Sequence, residues 1–454
     1  MDYRKKLCIA ARHAARDISR PSFHIRPIAN RMGDPNGVIY YRGRYHLFFQ
    51  FNPLSVKKGK TCWGHMSSTN LIDWTYHDIA FIPDINAGEE RCFSGSSIRH
   101  HDGVFVAYTS VLDWENDNFT QGWAYANDKN LLNWSRQPSG LLKQPPLVPK
   151  YKIATDWRDP YLFKYGRQTF MIIGSNMTRG RTTYTAPLLY RATDKGLKNW
   201  DYCGMLHVFG DSDFPTASNM FLECPNIAKI GRKWILFGSP ESPVKYFIGR
   251  FDPCTATFTP EHTGYVSYSD KDYYYASYVM HDNRKRRHLM FAVCFGDEIG
   301  HWRGVGAIPR EISIKNNQLL QKPIREMRHL RMGRGTTFTP GQSVDLDRPC
   351  FEIMGNIFPG ENLKIVLSGH KKLIISFDGQ TLNLGTQKMP LEIKSKTKFR
   401  LFFDRSICEI FVGDTHTLSY MERGLNIRSI HLSDNQTQKM KLYYLRDAKF
   451  IEQD

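Results

Sequence analysis

Three carboxylates stand at similar distances ahead of three glycine turns: Asp34 lies nine residues before Gly43, Asp159 seven before Gly166 and Glu223 eight before Gly231. Two of them precede proline, in Asp34-Pro35 and Asp159-Pro160. Proline disfavours the helical region for its predecessor, so both acids are expected in extended backbone, held rigidly as catalysis by positioned groups requires. Convergent carboxylates are the equipment for cleaving a glycosidic bond, where one attacks or stabilises the sugar cation and another protonates the leaving oxygen. A single Asp-Pro is ordinarily a turn, and Glu-Cys-Pro alone means little. Their shared phase is what assigns the three acids to one site.

The elements that must hold these acids repeat. The runs VIYYRGRYHLFFQF, SIRHHDGVFVAYTS, YLFKYGRQTFMIIGS and NIAKIGRKWILFGS share one plan, with turn glycines Gly43, Gly103, Gly166 and Gly231 spaced by 60, 63 and 65 residues. A second marker keeps the same beat, since NLIDW, NLLNW and GLKNW end at Trp74, Trp134 and Trp200. Repetition at this period, with about four short strands per unit, is the signature of a β-propeller whose blades surround a central channel. A fifth unit fits YYYASYVMHDNRKRRHLMFAVCF. The expected fold is all-β: a five-bladed β-propeller over residues 23–335, QKPIREMRHLR as a linker, and a C-terminal β-sandwich over residues 340–454 with short alternating strands such as LKIVLSG and KLIISFDG. First strands line the channel, so Asp34, Asp159 and Glu223 should meet at one end of it. CFSGSS of the second unit and the Tyr-rich run of the fifth take the two remaining places.

Composition agrees with strands and tight turns: the 454 residues include 34 Gly, 23 Pro, 28 Phe and 23 Tyr. The N-terminal apolar run breaks at Arg12, short of a signal-peptide core, and no run reaches the ~18 apolar residues of a membrane span. Nine scattered cysteines without a Cys-x-x-Cys pair argue against a disulfide framework and a zinc site. The expectation is a cytoplasmic protein with reduced thiols, no metal, no cofactor and no membrane partner. A net charge of +18 could serve an anionic partner, yet the basic residues are spread along the chain and no nucleic-acid module is recognisable. Their densest cluster, NRKRRH from Asn283 to His288, falls where the fifth unit should turn, as a solvated turn or an anion-contacting patch.

Eight motifs in order, RMGDPNG, HLFFQFNP, CWGHMSSTNLIDW, CFSGSS, WRDP, ECPN, VGAIPREI and FDRSICEIF, make the chain resemble glycoside hydrolase family 32, the invertase and β-fructofuranosidase family, over nearly its whole length. The resemblance implies a five-bladed propeller followed by a sandwich. It implies a retaining mechanism with Asp34 as nucleophile, Glu223 as general acid and base, and Asp159, beside Arg158, stabilising the transition state through the sugar hydroxyls. Gly33, Asn36, Gln50, Lys58, Trp63, Phe93, Ser94, Arg158 and Tyr275 are then expected around the sugar. Retention demands nucleophile and acid carboxyls about 5 to 5.5 Å apart. Departures fall on the substrate side: the family's run is W-M-N-D-P-N-G, so Arg31 replaces a Trp and Gly33 an Asn. Lys58 stands where relatives commonly carry Trp, and LMFAVCFG of the fifth unit lacks an expected Trp.

The leading expectation is cleavage of terminal β-fructofuranosides, with room for an anionic substrate such as sucrose 6-phosphate. A fructosyltransferase on the same scaffold would share the covalent intermediate, and a catalytically degenerate relative would only bind carbohydrate. The partner is a small-molecule carbohydrate rather than nucleic acid or membrane, and the sandwich offers sheet surface for a homodimer.

Overall fold

The structure, a computed structural model, describes residues 3–145, 151–214, 221–241, 243–434 and 438–452. Within them the chain is mostly β, in seven sheets. Five sheets built around antiparallel strands come first, and three of the expected turn glycines do join their first two strands in the left-handed region, with φ of 93° at Gly43, 59° at Gly166 and 64° at Gly231. Gly103 does not. It opens the strand Gly103–Asp113, and the left-handed turn residue is His101, φ 48°.

The first strands are Asn30–Tyr41, Arg91–His100, Lys152–Tyr165, Glu223–Ile230 and Tyr275–Asp282. Each contacts the next and the last contacts the first, which makes a cycle of contacts among five strands. All five carry a β-bulge at a matching place. Gly33 and Asp34 together oppose Gln50, Phe93 and Ser94 oppose Thr109, Asp159 and Pro160 oppose Ile173, Cys224 and Pro225 oppose Gly238, and Ala276 and Ser277 oppose Ala292. A bulge breaks the strict alternation of side chains and re-aims them, so neighbours in sequence can face the same space.

The first sheet is where the chain closes. Trp302–Arg303 pairs in parallel with Asn30 and Arg31 at one edge, and Phe450–Glu452 pairs in parallel with Trp74–Tyr76 at the other. The sixth and seventh sheets, six strands each, share a core that includes Phe351, Ile353, Ile365, Leu367, Phe403 and Ile410. The expected linker is ordered: Gln318–Pro323 belongs to the fifth sheet, Arg325–Leu330 is a 3₁₀ helix with Met327 and Leu330 buried, and Arg331–Phe338 is already in the sixth sheet.

Two further contacts tie the N-terminal segment to the rest. Tyr3–Ala15 is a helix whose Leu7, Ala10, Ala11 and Ala14, spaced three and four apart, pack on a cluster containing Trp302 and Met421. His24 is fully buried, 2.9 Å from Asp404 and 3.1 Å from Glu409. Asp404 also accepts the backbone N–H of Ser22, Phe23 and His24, and Glu409 that of Ile308. The motif FDRSICEIF therefore supplies two buried carboxylates that clamp earlier segments of the chain. Desolvation opposes charge on His24, but the two carboxylates win and raise its pKa to about 9.

Candidate active site

The bulges stagger the three acids rather than repeating one position. Asp34 is the second bulge residue of its strand, Asp159 the first of its own, and Glu223 the residue just before a bulge. Arg158 and Tyr275 share Glu223's position in the flanking strands, and the three bond in a row. The Arg158 guanidinium donates to Glu223 Oε1 at 2.5 Å, and the Tyr275 hydroxyl lies 2.5 Å from Oε2. That hydroxyl also accepts from Glu241 N–H and lies 2.8 Å from the Ser239 carbonyl. One hydroxyl proton cannot serve both acceptors, so the Tyr275 oxygen can equally accept from a protonated Glu223. The arrangement accommodates either protonation state of that carboxyl.

Asp159 departs from the extended backbone expected ahead of proline. Its φ is 65°, and the equivalent first bulge residues Cys224 and Ala276 have φ of 49° and 50°. The extra residue must turn the chain, and the short polar side chain of Asp tolerates the left-handed region where a larger one would strain. Its backbone N–H donates to Thr109 Oγ1 at 2.9 Å, and Thr109 in turn donates to Gln121. Its carboxylate accepts Cys224 N–H at 2.9 Å, with Arg158 Nε 3.9 Å away. Burial pushes the Asp159 pKa up to about 6, with Glu223 and Asp34 adding repulsion while Arg158 and the Cys224 N–H pull it down.

Asp34 accepts the Ser94 hydroxyl at 2.9 Å, and Gln50 Nε2 donates to the same Ser94 oxygen at 2.7 Å. Burial, then the charge of Glu223, raise its pKa, while the Ser94 hydrogen bond, Arg31 and Lys58 counter them. Three carboxylates that repel one another, held in place by Arg158, Ser94 and a backbone N–H, are therefore brought into one space. Such a set can attack an electrophilic carbon and exchange a proton with its leaving group.

The remaining expected site residues divide. Gln50, Ser94, Arg158 and Tyr275 bond to the acids or to their partners. Gly33 packs on Gln50, where an added Cβ would meet Gln50 Cβ at 3.0 Å and Oε1 at 3.2 Å, so the position leaves little room for the family's Asn while Gln50 stays in place. Phe93 is half-buried against Trp114 and Phe119. Lys58 is exposed, yet its charge reaches Asp34. Trp63 and Asn36 are both 0% exposed, so they lie behind the site instead of on its surface. The Trp63 indole donates to the Phe93 carbonyl and orients that backbone.

Several residues had no sequence signal: Cys224 as a backbone donor, Thr109, and Phe221, whose ring underlies the Arg158 guanidinium at 4.2 Å. Arg31 stood out only as a departure. It is buried, its guanidinium lies 5.0 Å from the Phe295 ring, and Arg303 lies 5.9 Å from the same ring on a strand paired with its own. Among the described residues, no group of His, Cys, Asp and Glu is arranged to hold a metal ion, and no helix is long and apolar enough to cross a membrane.

Comparison with known proteins gives three consistent findings. Residues 24–323 match the description "Glycosyl hydrolases family 32 N-terminal domain". The chain is 26% identical to a sucrose-6-phosphate hydrolase of Zymomonas mobilis, covering 87% of this chain and 84% of that one, and 31% identical to beta-fructofuranosidase 1 of Zea mays, covering 72% and 53%. Among solved structures it resembles a Bombyx mori GH32 beta-fructofuranosidase with a TM-score of 0.84 and 25% identity, over 98% of each chain.

Proposed function

The chain belongs to glycoside hydrolase family 32, and from that premise we propose that it hydrolyses terminal β-fructofuranosides, such as sucrose or sucrose 6-phosphate, with retention of configuration. The observation that carries this reading is the staggered carboxylate trio at the bulges, with Arg158 and Tyr275 bracketing Glu223.

In the first step Asp34 attacks the anomeric carbon of the fructosyl unit as Glu223 gives a proton to the departing oxygen. In the second, Glu223 takes a proton from water, which displaces the Asp34 ester. Ser94 and Gln50 hold Asp34 on line. Asp159 and Arg158 receive the sugar hydroxyls, which become better donors as positive charge develops on the ring, so that their hydrogen bonds to the buried Asp159 carboxylate strengthen in the transition state. The relatives' printed names support the fructoside, and Arg31 and Lys58, whose charges act on Asp34, support a substrate bearing negative charge.

We read the five leading sheets as the blades of one propeller, supported by the cycle of contacts among their first strands, with the sandwich beginning at Arg331. Nine unpaired thiols, five of them buried, support the cytoplasmic assignment. The test of the mechanism is methanolysis of sucrose. A retaining enzyme yields methyl β-fructofuranoside from wild type, and Asp34→Asn yields none. Formation of the α-anomer, or no turnover of any fructoside, would sink the proposal.

A further inference from the structure

The five first strands end at the opposite face of the cycle from the acids. Asp34 and Tyr40 are six residues apart, about 15 to 20 Å along a strand with a second irregularity between Asn36 and Ile39. At that far end lies a cavity of about 740 Å³, within the usual range for small-molecule sites. Its rim is built by one repeated position. Tyr40, Arg99, Lys164, Lys229 and His281 are each the next-to-last residue of their strands, and all five line the cavity together with Arg284 and His288. Ile39, Ile98, Phe163, Trp234 and Tyr278 supply an apolar and aromatic wall. No lining residue is Asp or Glu.

Four basic side chains thus converge on one mouth, and among the described residues none of Arg99, Lys164, Lys229 and Arg284 forms an ion pair with a carboxylate. Within the run NRKRRH the basic residues have different partners. Lys285 pairs with Glu326, and Arg287 pairs with Asp282, Glu311 and Glu326. Arg284, which faces the cavity, instead donates to the Tyr45 hydroxyl and lies 4.5 Å from the Tyr40 ring. Arg284 thus reaches Asp282 through the Tyr45 hydroxyl, which donates to that carboxylate at 2.5 Å, and not by a direct ion pair. Like charges gathered around a low-dielectric cavity repel one another and raise the local potential for anions; a bound polyanion relieves both.

We propose that this end of the channel is a second binding site, separate from the catalytic acids, for a small organic polyanion: clustered phosphates carried on a ring that enters the aromatic wall. The phosphates meet Arg99, Lys164, Lys229 and Arg284, and the ring meets Trp234 and Tyr278. The source is a nucleotide or a phosphorylated sugar, which the test separates.

Calorimetric titration of the full chain at low salt with ATP, fructose 1,6-bisphosphate, tripolyphosphate and adenosine decides it. Saturable binding of ATP or of the bisphosphate is expected, tighter than tripolyphosphate and weakened by salt. The tighter of the two names the source. Lys229→Glu and Arg284→Glu should each weaken it at least tenfold, and Lys229→Gln and Arg284→Gln by less. Arg167→Glu, an exposed change on the same face outside the cavity, should leave it unaltered, as should Asp34→Asn. A melting curve for each variant separates lost binding from lost folding, and the glutamine forms decide where a reversal does not fold. No saturable binding, equal loss in the Arg167 control, equal affinity for tripolyphosphate, or competition by sucrose overturns the proposal.

Discussion

Asp159→Asn should abolish activity and stabilise the protein. The Asp159 carboxyl has its pKa raised from 3.8 to about 6, chiefly by burial. A group whose folded pKa lies above its unfolded value opposes folding once both states are ionised, so at pH 8 the wild type carries a penalty of about two units, or about 3 kcal/mol. Asparagine removes the charge, keeps an acceptor for the Cys224 N–H and tolerates a φ of 65°. Alanine also removes the charge but offers no acceptor and suits that φ less well, and should forfeit about 1 kcal/mol in strain and about 1 to 3 kcal/mol in an unsatisfied N–H. With an unfolding entropy near 1 kcal/mol/K for a chain this long, the asparagine gain is about 3 °C in Tm. The assay is denaturant and thermal unfolding of wild type, Asp159→Asn and Asp159→Ala at pH 8 and pH 4.5, beside kcat on sucrose, which should fall at least ~100-fold in both variants. Because Asp159 protonates as the pH drops through 6, the asparagine advantage must shrink toward pH 4. An asparagine variant less stable than wild type at pH 8, or equally favoured at both pH values, would refute the reasoning.

Other outcomes follow from the same geometry. If Asp34 and Asp159 must both be ionised, the acidic limb of the kcat/KM profile should lie well above ordinary carboxylate values, near 6; a limb near 4 would count against it. His24→Gln should cost about 3 to 5 kcal/mol by leaving Asp404 and Glu409 with an uncompensated buried charge, read as a lower denaturant midpoint at pH 7. In the wild type the His24 contribution is complete below the unfolded pKa of about 6.5 and is lost as pH rises through about 9, so stability should decline across that interval and decline less in the variant. Lys58→Ala should lower kcat/KM on sucrose 6-phosphate more than on sucrose, with added salt weakening the wild-type preference; equal losses on both substrates would remove Lys58 from recognition.

Local patterning was legible because it is local. Turn glycines and the Trp beat report a repeating unit, and alternation reports half-buried strands, without any knowledge of what the units pack against. The three acids were found the same way, through their spacing to those turns. Pairings across the whole chain carry no such signal: His24 and Asp404, or Asn30 and Trp302, meet only because the fold returns there. The stagger of Asp34, Asp159 and Glu223 depends on one extra residue per strand, visible only as a register between partners. It is also why Asp159 is left-handed where its proline pointed to extended backbone. Charge is the clearest case. The formula +18 and the run NRKRRH could not say which cations are neutralised. That is decided by which carboxylates the fold brings close, as Glu326 pairs directly with Arg287 while Arg284 reaches Asp282 only through the Tyr45 hydroxyl. Sequence set the inventory of groups and their period; desolvation and through-space proximity, which belong to the tertiary structure alone, set their charge and their direction.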